Sequence, residues 1–190
     1  MELRFKLTGV RPMLMHNGRL ANPLDPYVQE LKKLTGIRKK TDEILARIME
    51  LEARGGCYET DEGLLGQQTE AVWASFYEAA KAYRRGKDLE RALIPIPETV
   101  PLQINGELVS ADDFVKDLDN IDYRSVVVSR SRVMRSRPLA DNWEAVHTME
   151  LLEDIVDEET LYPIIERAGR VVGLGDFRPR FGTFTAEILK

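Results

Sequence analysis

Apolar and polar positions alternate from the first residues of the chain. Leu3, Phe5 and Leu7 interleave with Arg4, Lys6 and Thr8, a period of two that predicts a half-buried strand. Gly9 interrupts it, and Val10–Met15 is expected to continue it as an edge, because Pro12 cannot donate to a ladder. The period then lengthens. Tyr27, Val28, Leu31 and Leu34 form one helical face that Gly36 ends. Thr41 or Asp42 caps a second helix bearing Ile44, Leu45, Ile48, Leu51 and Glu52 at helical spacing, which stops at Gly55-Gly56. Residues 67–84 make the broadest apolar stripe, through Val72, Trp73, Phe76, Ala79, Ala80 and Tyr83.

Beyond Leu93 the grammar changes. Pro95, Pro97 and Pro101 confine the next segments to short or edge strands, and Asn105-Gly106 marks a hairpin turn. Residues 123–134, with Val126, Val127 and Val128 at their middle, predict a long strand. Residues 142–152, alternating Trp143, Ala145, His147, Met149 and Leu151, predict its antiparallel partner. Asp157 caps a last helix through Leu161, Ile164, Ile165 and Ala168, with Gly169 past its end. Val171-Val172 and Phe181–Leu189 supply closing strand material.

With the helical stretches removed, the order is strand, helices, two strands, helix, strand. That order predicts an α+β, ferredoxin-like (RRM-like) antiparallel sheet with helices on one face and a large helical insertion. Residues 1–190 form a single domain. Residues 1–21 and 119–190 are the expected core, and 22–118 a mostly helical elaboration.

Charge narrows the functional classes. A net charge of -5 argues against a wholly basic nucleic-acid coat but permits a local basic stripe. The lone cysteine, Cys57, excludes an internal disulfide and a cysteine-rich zinc site, and fits a cytoplasmic setting. No apolar run approaches the ~20 residues that span a bilayer. His16 and His147 make no metal motif, and no cofactor is implied.

Two groups carry candidate chemistry. Residues 123–137 hold Arg124, Arg130, Arg132, Arg135 and Arg137 and no acid. In a strand, residues two apart share a face at ~6–7 Å, so Arg130 with Arg132, and Arg135 with Arg137, could track a sugar-phosphate backbone. The alternative is pairing with Glu144, Glu150 and Glu153 on the neighbouring strand. The second group is the loop Gly173-Leu174-Gly175-Asp176-Phe177-Arg178-Pro179-Arg180-Phe181-Gly182. Backbone N–H groups, arginine forks at Arg178 and Arg180, and the faces of Phe177 and Phe181 suit phosphates and unstacked bases. A plain turn, or an Asp176–Arg178 pair that stiffens it, is the competing reading. His16, after the first strand and near Arg19, is a candidate general acid or base for metal-independent RNA cleavage, or a turn residue. His147 and Cys57 are expected in the core.

Val172-Gly173-Leu174-Gly175, followed by Arg178, Arg180 and Gly182, resembles the glycine-rich loop of the RAMP superfamily, ferredoxin-like proteins that bind or process CRISPR RNA. Leu3–Leu7 and Met13–Asn17 are similar to segments of small phage and prophage proteins. The likeness covers residues 1–17 and 121–190. The family's loop usually holds more glycine, and the paired aromatics of an RNA-stacking strand are missing from 123–134. Together, the arginine groups, the loop and the resemblance lead to the expectation of a non-catalytic binder of single-stranded RNA or DNA, in a homo-oligomer along the strand; with no bilayer-spanning run, no membrane partner is expected. Arg130, Arg132, Arg135, Arg137, Gly173, Gly175, Phe177, Arg178, Arg180 and Phe181 would form the contact. A ribonuclease using His16 and a protein-assembly module are the alternatives.

Overall fold

The alternating face of the first strand is the floor of the core. The structure, a computed structural model, describes residues 1–96 and 98–189, with the backbone alone at Val128; Pro97, one of the punctuating prolines, lies outside them. The strands are β1 (Glu2–Gly9), β2 (Met13–Leu14), β3 (Tyr58–Glu59), β4 (Leu65–Gln68), β5 (Leu93–Pro95), β6 (Thr99–Pro101), β7 (Gln103–Ile104), β8 (Glu107–Leu108), β9 (Ile121–Val128), β10 (Ser131–Ala140), β11 (Trp143–Leu151) and β12 (Phe184–Leu189). The helices are α1 (Pro26–Thr35), α2 (Asp42–Gly56), α3 (Thr69–Lys81), α4 (Gly86–Ala92), α5 (Ala111–Phe114) and α6 (Glu158–Arg167).

The chain is mixed α/β, with antiparallel sheets. The largest runs β12-β1-β11-β7-β8, and β5 also pairs with β11. Phe5 stands opposite His147 on one side and Ile188 on the other. Leu3, Phe5 and Leu7 are buried together with Val72, Phe76, Ala79 and Ala80 of α3 and Leu161, Ile164 and Ile165 of α6. The Phe5 and Phe76 rings meet edge to face at 5.5 Å. The stretch expected as elaboration, 22–118, thus contains a helix that shares this core.

The caps follow the sequence. Asp25, Thr41, Ser110 and Asp157 each accept a backbone N–H from the first turn of the helix they precede. Asn105 and Gly106, both at positive φ, make the β7–β8 turn.

Three expectations are corrected. First, residues 123–134 and 142–152 are not a pair. The hairpin is β9–β10, in register Ser131↔Val128 through Pro138↔Ile121, and it turns at Ser129 and Arg130. β11 instead joins β1, β5 and β7. Second, Val10–Met15 does not extend β1, since β2 pairs with Leu139 and Ala140 of β10 in a separate three-stranded sheet. Third, Gly169 does not end the last helix. The chain continues as a wider turn through Ala168–Val172 and stops at Gly173, φ +75°; Val171-Val172 is therefore not strand. Gly169 is buried where a Cβ would overlap the Phe184 carbonyl, so it serves close packing on β12.

Candidate nucleic-acid interface

The site is assembled where β10 leaves the β9–β10 hairpin. Residues two apart on β10 share a face, so Arg135 and Arg137 lie together, opposite Arg124 and Asp122 of β9. Each is spoken for. Arg135 Nη1 donates to Glu52 Oε1 at 2.5 Å, and the Ser136 N–H donates to Glu52 Oε2 at 2.9 Å. Glu52 is buried on α2, so one carboxylate serves a guanidinium and an unpaired backbone donor of the strand. Arg137, also buried, donates from Nε to Asp176 Oδ2 at 2.8 Å. The partners foreseen on the neighbouring strand are not used: Glu144 binds Lys6 at 3.0 Å. Nor does Asp176 pair with Arg178. Both outcomes follow from the corrected hairpin, which sets β10 against α2 and the terminal loop instead of β11.

That loop is clamped by its own backbone. The Asp176 N–H donates to Leu14 O at 2.8 Å, Gly182 N–H to Pro12 O at 2.8 Å and Leu174 N–H to Gly182 O at 2.9 Å. Gly175, φ +72°, crosses so close to β2 that a Cβ would overlap Leu14 O. At Gly182, φ +68°, a Cβ would overlap Leu174 O. These glycines are therefore required by chain crossing. The loop holds Phe177 and Phe181 against arginine: the Arg124 guanidinium lies 5.0 Å and 4.6 Å from their ring centres, and Arg137 lies 5.1 Å from Phe177.

Two cavities flank this junction, and His16 lines both. One, of 440 Å³, lies between α1, α2 and β10, with Arg135, Ser136 and Arg137 along one side and Val28 and Leu31 along another. The other, of 370 Å³, is bounded by Tyr58, Gln67, Gly175, Phe177 and Arg178. The structure thus brings Arg135 and Arg137 to the larger cavity and Gly175, Phe177 and Arg178 to the other, with His16 shared between them. Arg130 and Arg132 stand apart. Arg130 is a turn residue at φ +70°, so the expected shared strand face does not exist. Arg132 lies on the opposite face of β10 from Arg135, with Tyr123, Val127 and Met134. Neither has an ion pair among the described residues. Arg180 is exposed, and Phe181 packs under Arg124.

His16 is exposed, and its imidazole has no hydrogen-bond partner among the described residues; Tyr58 Oη donates to its carbonyl oxygen at 3.2 Å. His147 is fully buried and shares a hydrogen bond with Thr69 Oγ1 at 3.0 Å; burial pushes it down to about 4. Cys57 is buried, its thiol pushed up to about 12, which suits packing and not nucleophilic work. Among the described residues no cluster of three or more His, Cys, Asp or Glu is placed to hold a metal ion, and no helix is long and apolar enough to cross a membrane.

A second basic group, absent from the sequence-based candidates, adjoins the groove. Lys32 lines the larger cavity and opens a run with Lys33, Arg38, Lys39 and Lys40, all exposed or half-buried. The signal was the lack of any acid from 31 to 41. Glu52 stood out only as an acid at helical spacing with the apolar face of α2; nothing in the sequence named Arg135 as its partner. No family model matches the chain, and no curated protein matches it.

Proposed function

We propose that this protein binds single-stranded nucleic acid without cleaving it, as a RAMP-like protein, with the groove around His16 as the path of the strand. The observation that carries the reading is that cations from three separate segments line the two cavities that share His16: Lys32 from α1 beside the carboxylate-paired Arg135 and Arg137 of β10 in the larger, and Arg178 from the loop in the other. Phe177, 40% exposed, adds an aromatic face for stacking. The strand order supports the kinship, since β12-β1-β11-β5, with α3 and α6 in the crossovers, follows the ferredoxin-like order. In this reading the exposed tip arginines, Arg130 and Arg132, extend the phosphate contacts. Tyr123, Val127 and Met134, exposed on one hairpin face, are assigned to contact between copies along the strand.

The test is fluorescence anisotropy of labelled single-stranded RNA and DNA at rising salt. The log–log slope is expected at about -0.7 per phosphate neutralised. Arg178→Ala with Arg180→Ala weakens binding, and Arg130→Ala with Arg132→Ala does so with unchanged stability. No binding to any oligonucleotide, or binding indifferent to salt, overturns the proposal. Cleavage of RNA in EDTA that disappears in His16→Ala assigns the groove to a nuclease instead.

A further inference from the structure

The β9–β10 hairpin leaves one edge of its sheet open. β9 is the outer strand of the sheet β2-β10-β9, and among the described residues no strand but β10 pairs with it. Its turn, Ser129-Arg130 with both residues at positive φ, closes on the pair Val128↔Ser131. Main-chain hydrogen bonding in an antiparallel pair alternates from there, so Val128, Val126, Arg124 and Asp122 bond to β10. The N–H and C=O groups of Tyr123, Ser125 and Val127 therefore turn outward, and none has a partner among the described residues. The side chains of these three stand on the exposed face of the hairpin, with Arg132 and Met134. Proteins guard such an edge with a lysine, a proline or a bulge. β9 has none of these. Its only charged residues, Asp122 and Arg124, bind each other on the opposite face.

We propose that this edge pairs with the same edge of a second copy of the chain, antiparallel about a two-fold axis at Ser125, so that the two sheets become one. That register uses every outward group. Tyr123 stands opposite Val127 of the partner subunit, Ser125 opposite Ser125 of the partner subunit, and Val127 opposite Tyr123 of the partner subunit. Each pair exchanges both of its main-chain hydrogen bonds. An aromatic ring then meets a β-branched side chain, a favourable cross-strand pair, and no charge faces its like. An axis at Arg124 would set two guanidiniums opposite each other and put Val127 against Ile121, whose N–H is already given to Leu118 O. Charge is complementary at the ends. The register lays Arg130 at the level of Asn120 of the partner subunit, next to the exposed acidic turn of Asp117 and Asp119, and none of these three charges has an ion pair among the described residues. Attraction at such a rim steers encounter more than it holds a complex, so Arg130 stays open to phosphate. This interface rests on the assignment of the hairpin face to contact between copies, but not on nucleic acid.

Analytical ultracentrifugation without oligonucleotide reads mass against concentration and is expected to show a monomer–dimer equilibrium that stops at two copies. Val127→Lys, at a side chain 67% exposed and so outside the core, puts a cation on the edge and is expected to leave a monomer with the wild-type circular dichroism spectrum. Ser125→Cys reads the axis. The Cα atoms of an opposed, hydrogen-bonded pair lie about 5.5 Å apart, within disulfide reach, so mild oxidation joins two copies. Met134→Cys, in the same cross-strand row but one strand further from the axis, stays unjoined. Cys57 is buried and takes no part. A wild-type protein that is monomeric throughout or grows past two copies overturns the proposal. So does a dimer that survives Val127→Lys, a Ser125→Cys variant that does not join, or Met134→Cys joining as readily. A dimer that binds no oligonucleotide keeps the interface and overturns the strand-binding function. Oligonucleotide binding by a protein that stays monomeric does the reverse.

Discussion

His147 shows how one buried side chain makes stability depend on pH. Its imidazole sits in the core with Thr69, and Nε2 has no partner among the described residues, so charging it inside is costly. Folded, it titrates at about 4, and unfolded at its ordinary 6.5. Between those values the unfolded chain holds more protons, so stability falls as pH drops through the window. The full decline is about 3 kcal/mol, at about 1.36 kcal/mol per unit. Urea unfolding from about pH 7 to about pH 4 should show this decline for the wild type, and a shallower one for His147→Gln. Equal slopes would show that other groups carry the dependence.

The β9–β10 hairpin shows how an element hides from its own sequence. Asn105-Gly106 announces a turn because both residues tolerate positive φ. Ser129 and Arg130 adopt positive φ as well, at +48° and +70°, but neither residue type signals it. Val126–Val133 therefore reads as one continuous strand. The hairpin forms anyway because eight cross-strand pairs, and the anchoring of Arg135 by Glu52 and Arg137 by Asp176, offset two strained turn residues. Arg130→Gly is expected to relieve that strain and stabilise the fold by about 0.5–1 kcal/mol. The same change is expected to weaken oligonucleotide binding, because it removes a tip cation. Chemical denaturation and anisotropy on one variant check both, and a drop in stability would contradict the turn assignment.

Across the molecule, charge is sorted. The acids of β3, its following turn and α3, Glu59, Asp61, Glu62 and Glu70, line with Glu98 a cavity that shares no lining residue with the two around His16. The net charge of -5 therefore coexists with a basic run at 32–40. Neutralising part of that run, Lys39→Ala with Lys40→Ala, should flatten the salt slope by up to about 0.7 for each phosphate that is no longer neutralised, at unchanged thermal stability. An unchanged slope would place the strand elsewhere. Arg135 and Arg137, by contrast, are poor probes of binding alone, since removing either leaves a buried or half-buried carboxylate without its cation.

Local chemistry was legible along the chain. The alternation of β1 and β11, the amphipathic faces of α1, α2, α3 and α6, the capping of α2 by Thr41 and of α6 by Asp157, and the Asn-Gly turn each follow from neighbours a few positions apart, where steric and hydrogen-bonding rules act directly. Which strand pairs with which, and which arginine is spent on structure, was not legible. Arg135 finds Glu52 from 83 positions away and Arg137 finds Asp176 from 39, and nothing in either segment alone names the other. Such partnerships depend on which surfaces the whole chain can bury at once. The glycine loop spans both cases: its positions were visible as letters, but the backbone crossings at Leu14 and Leu174 that demand glycine exist only after folding.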